Sequence, residues 1–223
     1  MKKVVFILIL LVGSITNAQE TIEKTIGEFK TVKVYDLINL KMMKSNENKV
    51  VISGENRKDV DIVNKNGKLK IRMSLEESYD GNDTMVILYY TSVDVIDANE
   101  GSQVVVNKLI EQFEIDLKTQ EGAEITAEIK TTYANFRAVT GGIINVTGNS
   151  KNQDISIYTG GIFNGEHFIT EQTEVSINAA GEAYINATEY VDVRVKAGGD
   201  VFIYGEPKIV DENRVLGGRI KRM

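Results

Sequence analysis

The chain of 223 residues carries 32 acidic against 26 basic side chains, 19 glycines, one proline and one histidine, with neither cysteine nor tryptophan. Without cysteine it holds no disulfide and no cysteine-ligated zinc or iron–sulfur centre. A net charge of −6 argues against nucleic acid as a target, while 42% apolar residues suffice for a core.

At the start, Met1-Lys2-Lys3 precede the unbroken apolar run Val4 to Val12 and the small, polar stretch Gly13 to Ala18. That order is a secretory leader, residues 1–18, cut after Ala18. The run is too short for the roughly 20 residues that span a bilayer, and no later segment approaches that length. The expectation is an exported protein of the periplasm, outer surface or extracellular space, with no transmembrane span in residues 19–223. Losing the leader removes two lysines and no acids, which leaves 24 bases against 32 acids. No cysteine stands at the cut to carry a lipid.

Residues 20–93 alternate in the manner of strands over Phe29 to Met43, Lys49 to Ser53, Val60 to Val63, Lys68 to Met73 and Thr84 to Thr91. Lys65-Asn66-Gly67-Lys68 reads as a tight hairpin turn, and Asp80-Gly81-Asn82-Asp83 as a turn that falls short of a calcium loop. No repeat marker stands in this part. It reads as an N-terminal cap continuous with residues 94–223, because an open stack would expose core and unpaired backbone.

From Asp94 onward a period emerges. Gly101, Gly122, Gly141, Gly160, Ala180, Gly198 and Gly217 are spaced by 21, 19, 19, 20, 18 and 19 residues. Five before each marker stand Ile96, Leu117, Phe136, Ile155, Val175 and Val193; three after stand Val104, Ile125, Ile144, Phe163, Ala183, Val201 and Ile220. Within a copy the apolar positions step by two, the strand period. Two short strands joined at a bend cannot bury their one apolar face alone, whereas stacked copies about 4.8 Å apart line a continuous core. The fold expected is all-β: one domain over residues 19–223 whose residues 94–223 form a parallel β-helix, or solenoid. The polar stretches Asn149 to Gln153 and Thr170 to Thr173 supply its third side or turns. A degenerate last copy and the basic tail Arg219 to Arg222 protect the far end.

These residues also carry a likeness. The leader, the units Gly141-Gly142-Ile143 and Gly160-Gly161-Ile162, and the closing Gly205-Glu206-Pro207 with Leu216-Gly217-Gly218 resemble the putative auto-transporter adhesin, head GIN domain family of exported Bacteroidetes proteins. The resemblance runs from about Phe29 to the end. It implies a right-handed β-helical domain at the cell envelope with an adhesin role, and no catalytic residues. No series of lipid-facing strands comes after the repeats to form a translocating barrel.

Two outward columns are candidates for binding. Six before the marker, Asp116, Asn135, Asp154, Glu174 and Asp192 form an acidic ladder; Asp154, Glu174 and Asp192, flanked by Ser156 and Ser176, are the candidate ligands of a calcium ion. The competing reading is cross-coil pairing with neighbouring bases such as Lys118, Arg137 and Arg194. Four and six after the marker stand Asn145, Asn164, Tyr184, Asn186, Phe202 and Tyr204, amides and aromatic rings able to hold a sugar. Against that, Tyr184 and Phe202 stack on each other between coils, or pack beneath a C-terminal segment or a dimer partner. His167, the lone histidine, has no second ligand or triad partner.

The function expected is non-catalytic presentation of a solenoid face to a glycan or surface protein. Self-assembly into a homo-oligomer is a further possibility. The alternative is a carbohydrate-active enzyme, a lyase or glycosidase on a β-helix, for which the coils lack long inserted loops.

Overall fold

Strand alternation commits the chain to β structure, and the computed structural model describes residues 20–223 of it; the leader expected over residues 1–18 lies outside the described residues. It is a β-solenoid of about seven turns with coils of roughly 19 residues. The N-terminal strands are β1 (Ile22–Thr25), β2 (Thr31–Val34), β3 (Asn39–Lys44), β4 (Lys49–Gly54), β5 (Val60–Lys65), β6 (Lys68–Met73) and β7 (Thr84–Tyr90). The repeats contribute β8 (Val95–Ala98), β9 (Gln103–Val106), β10 (Ile110–Glu111), β11 (Glu114–Gln120) and the four long strands β12 (Glu124–Val139), β13 (Ile143–Tyr158), β14 (Ile162–Ile177) and β15 (Glu182–Ala197). Three shorter strands, β16 (Asp200–Tyr204), β17 (Ile209–Leu216) and β18 (Arg219–Arg222), complete it.

Each coil has a leading face before the glycine bend and a trailing face after it. From Ile96 and Val104 onward the inward columns are those the spacing marked. On the leading face Leu69, Val32, Ile96, Leu117, Phe136, Ile155, Val175 and Val193 stand in successive registered layers. On the trailing face Val86, Leu40, Val104, Ile125, Ile144, Phe163, Ala183 and Val201 do the same. All sixteen are buried. Each large member withdrawn from water contributes about 1.5–3 kcal/mol, which is how short strands hold without disulfides.

The first residues depart from a simple cap. Phe29 to Met43, expected as one strand, bends between β2 and β3, where Asp36 and Leu37 take φ of 58° and 62°. The Asp36 carboxylate holds that bend by accepting from the backbone N–H of Met73 at 3.0 Å and of Tyr79 at 3.2 Å. β2 and β3 therefore form a coil of the stack, one that carries no glycine marker. That coil lies between the layer of β6 and β7 and the layer of β8 and β9, so the first coil in sequence is the second in space. Beyond it the parallel stack ends in antiparallel pairings, β5 on β6 and β4 on β7, with β1 on the outer side of β4. The expected Asn66-Gly67 turn makes the first of these, both residues having positive φ.

The marker position is left-handed in every repeat, from Gly101 at φ 67° to Gly217 at φ 74°, and Ala180 adopts the same region at φ 51°. The polar stretches Asn149 to Gln153 and Thr170 to Thr173 lie within strands β13 and β14. β12 to β15 run unbroken through a corner there, and small polar side chains turn inward and bond one another: Thr131 Oγ1 to Ser150 Oγ at 3.1 Å, and Gln153 Nε2 to Thr173 Oγ1 at 2.8 Å. Polar side chains can be buried at the corner because they satisfy one another by hydrogen bonds. Arg219 to Arg222 form β18, which pairs in parallel with β16.

Candidate functional site

The amide and aromatic column exists as one line of side chains. Asn145, Asn164, Tyr184 and Phe202 are successive register partners on the outer side of the trailing face, and Asn186 and Tyr204 pair in the column beside it. All six are part-buried. The amides first serve each other: Asn164 Nδ2 donates to Asn145 Oδ1 at 2.7 Å, and Asn145 Nδ2 to Glu124 Oε1 at 2.6 Å. Asn186 Nδ2 donates to the carbonyl of Glu166 at 2.9 Å. Tyr184 and Phe202 stack with ring centroids 4.7 Å apart and 10° between planes, while the Tyr184 hydroxyl donates to Glu182 Oε2 at 2.7 Å. The facing sides of the two rings are therefore occupied, and Lys221 of β18 stands next to Phe202 in the column, so what the column offers a ligand is ring edges and amide oxygens.

An extra residue widens this face at one point. The register between β13 and β14 shifts between Asn145 and Thr147, which sets Thr147 opposite His167. The bulge opens a depression of about 310 Å³ bordered by Asn145, Asn164, Thr147, Glu166 and His167. The 20-residue spacing from Gly160 to Ala180, one longer than that before it, is its trace in the sequence.

The acidic ladder is also one column. Asp116, Asn135, Asp154, Glu174 and Asp192 are register partners, and Asp211 of β17 extends it. Most members hold partners of their own. Asn135 Nδ2 donates to Asp116 Oδ1 at 2.8 Å, Lys118 lies 3.0 Å from Asp116, Arg194 pairs with Asp192, and the Tyr190 hydroxyl donates to Asp211. Asp154, Glu174 and Asp192 thus stand in adjacent coils without closing on one point; among the described residues no group of three or more carboxylate or histidine side chains is placed to hold a metal ion.

Asp154 is exposed as a residue, yet its neighbours crowd the carboxyl. Desolvation pushes its pKa up, against the Ser156 hydroxyl and the Arg194 charge, which pull it down. A carboxyl whose folded pKa is raised weakens the fold where it is ionised in both states, and that cost vanishes once both states are protonated. Asp154→Asn should therefore raise the melting temperature slightly at neutral pH, with the gain disappearing below the ordinary carboxylate range. A lower melting temperature at neutral pH would refute this.

A second depression escaped the sequence. Gln112 and Phe113 stand between β10 and β11 at the corner, alongside Thr131 and Thr132 of β12. Phe113 is exposed and meets Tyr133 edge-to-face at 5.4 Å. Beside it a groove of about 570 Å³ runs past Lys130, Asn149, Lys151 and Ile169.

With this geometry in place, the likenesses are informative. The family model described as putative auto-transporter adhesin, head GIN domain matches residues 28–207. No curated protein matches the chain. A crystal structure of a putative adhesin from Bacteroides fragilis NCTC 9343 superposes with a TM-score of 0.85 at 15% identity, over 93% of this chain and 98% of that one. A putative adhesin from Parabacteroides distasonis ATCC 8503 gives 0.74 at 17% identity, over 92% and 97%. A putative lipid binding protein from that same strain gives 0.69 at 13% identity, over 93% and 98%. At these identities the shared property is the fold, and neighbours of one architecture carry different functional names.

Proposed function

We propose a function that starts from family: the chain belongs to the putative auto-transporter adhesin, head GIN domain family. The reading is a non-catalytic adhesion module of the cell envelope, exported on residues 1–18, that presents the trailing face of its solenoid to a glycan or a surface protein. The observation that carries it is the unbroken outer column Asn145, Asn164, Tyr184 and Phe202, in which amides and aromatic rings from four coils share one surface. Solenoids bind through such extended faces because every coil contributes one equivalent side chain to it. Among the described residues no helix is long and apolar enough to cross a membrane.

The experiment is a binding screen of the purified protein against glycans and surface proteins, with calcium present and with EDTA. Replacing both Tyr184 and Phe202 by alanine should weaken binding at least about tenfold, the loss typical of truncating an aromatic anchor. Undiminished binding by the folded double variant would move the site off this column. Loss of binding in EDTA alone would direct attention to Asp154, Glu174 and Asp192 instead.

A further inference from the structure

The last coil breaks a rule that the coils before it keep. On the leading face the inward residues Val191, Val193 and Val195 of β15 are succeeded in register by Val210, Glu212 and Arg214 of β17. Two charges thus stand where earlier coils place buried core. Among the described residues β17 pairs only with β15, so its other edge is open. Inward charges blunt an open edge, and that accounts for Glu212 and Arg214 taken singly. It accounts neither for Ile209, Val215 and Leu216, which are 57%, 68% and 70% exposed on the same strand, nor for the order of the charges.

The order is self-complementary. Let two copies of β17 run antiparallel about a two-fold axis at Asn213. Val210 of one copy then faces Leu216 of the other, Glu212 faces Arg214, Arg214 faces Glu212, and Leu216 faces Val210. Inward residues oppose inward residues, so the two cores abut; a shift of the axis by half a residue would set inward rows against outward ones. The adjacent in-phase registers, centred on Glu212 or on Arg214, oppose like charges. β18 is basic, with Arg219, Lys221 and Arg222, and does not suit its own copy. Its Arg222 lies 3.9 Å from Glu212 and supplies a second cation to that carboxylate.

We propose that the C-terminal end of the solenoid is a dimer interface, in which β17 pairs with β17 of a second copy of this chain to form a two-fold, end-to-end assembly. The strand edges supply the backbone hydrogen bonds, and the inward row supplies register and specificity.

Sedimentation velocity of the purified protein tests this. The wild type should sediment as a dimer, E212R alone and R214E alone as monomers, and the double variant E212R/R214E as a dimer again. A wild-type monomer at every concentration overturns the proposal, as do single reversals that remain dimeric. Should the reversals fail to fold, Asn213→Cys introduces the chain's one cysteine at the axis. Paired antiparallel strands bring opposing Cα atoms to about 4.5–5.5 Å, within disulfide range. Mild oxidation should then give a covalent dimer, and its absence overturns the proposal equally.

Discussion

Gly148→Ala should lower the melting temperature by about 10 °C, a loss of about 3 kcal/mol for a chain of this size. A Cβ at Gly148 would lie 2.1 Å from the carbonyl oxygen of Ile129 in the coil beneath, and the residue holds φ at 107°. Neither problem can relax locally. The backbone of β12 is fixed by its own neighbours on both sides, and an alanine forced out of this φ would drag the corner with it. The control is Gly141→Ala, at a bend position with φ of 72° where an added Cβ meets nothing within 4 Å. Only the left-handed backbone is penalised there, at about 1 kcal/mol and so about 3 °C. Thermal unfolding of both variants decides the matter, and equal losses would contradict the steric account. Ala180 already shows that the bend position itself accepts a Cβ.

Phe163→Ala should cost about 4 kcal/mol, the range seen when a buried aromatic ring is truncated and its cavity persists. Phe163 is fully buried, its ring 4.8 Å from that of Phe136, which in turn meets Phe168 edge-to-face at 5.8 Å. The three rings, one from β12 and two from β14, form one cluster in the core. Small neighbours make room for them: Ala183 stands next in the column, and a Cβ on Gly165 would reach to 2.4 Å from the Phe163 ring. The stack cannot collapse onto the void, because each coil is held at the strand spacing by hydrogen bonds above and below. Phe163→Leu, which keeps most of the volume, should cost less than half as much. Chemical denaturation is the measurement, and equal losses for Ala and Leu would show that ring volume is not what holds this cluster.

These two sites illustrate different degrees of legibility. Phe163 lies three residues after its marker, and the register alone placed it inward beside Ile144 and Ala183. The role of Gly148 was invisible, because it belongs to no column of markers; its constraint comes from Ile129, 19 residues earlier and its register partner in the adjacent coil. The candidate column behaves in the same way. Its alignment over four coils came from the period. That its amides would bond to each other, and that Tyr184 would present an edge because Phe202 covers its face, depended on rotamers and neighbours that spacing does not encode. The coil of β2 and β3 went unread for a third reason. Asp36 and Leu37 make its bend without glycine, and its partners β6 and β8 lie 37 and 64 residues away.

Composition and period were enough for the parallel stack, its inward columns and the outer lines of amides and carboxylates, because a repeat of about 19 residues leaves each strand only one register that buries its apolar side. Tertiary structure alone decided how the stack ends. Insertion of the first coil between later ones, closure by antiparallel β4 and β5, and charged residues on the inward row of β17 all depend on contacts distant in sequence. A periodic pattern constrains what is common to every coil, and the two ends are where the pattern has no neighbour left to satisfy.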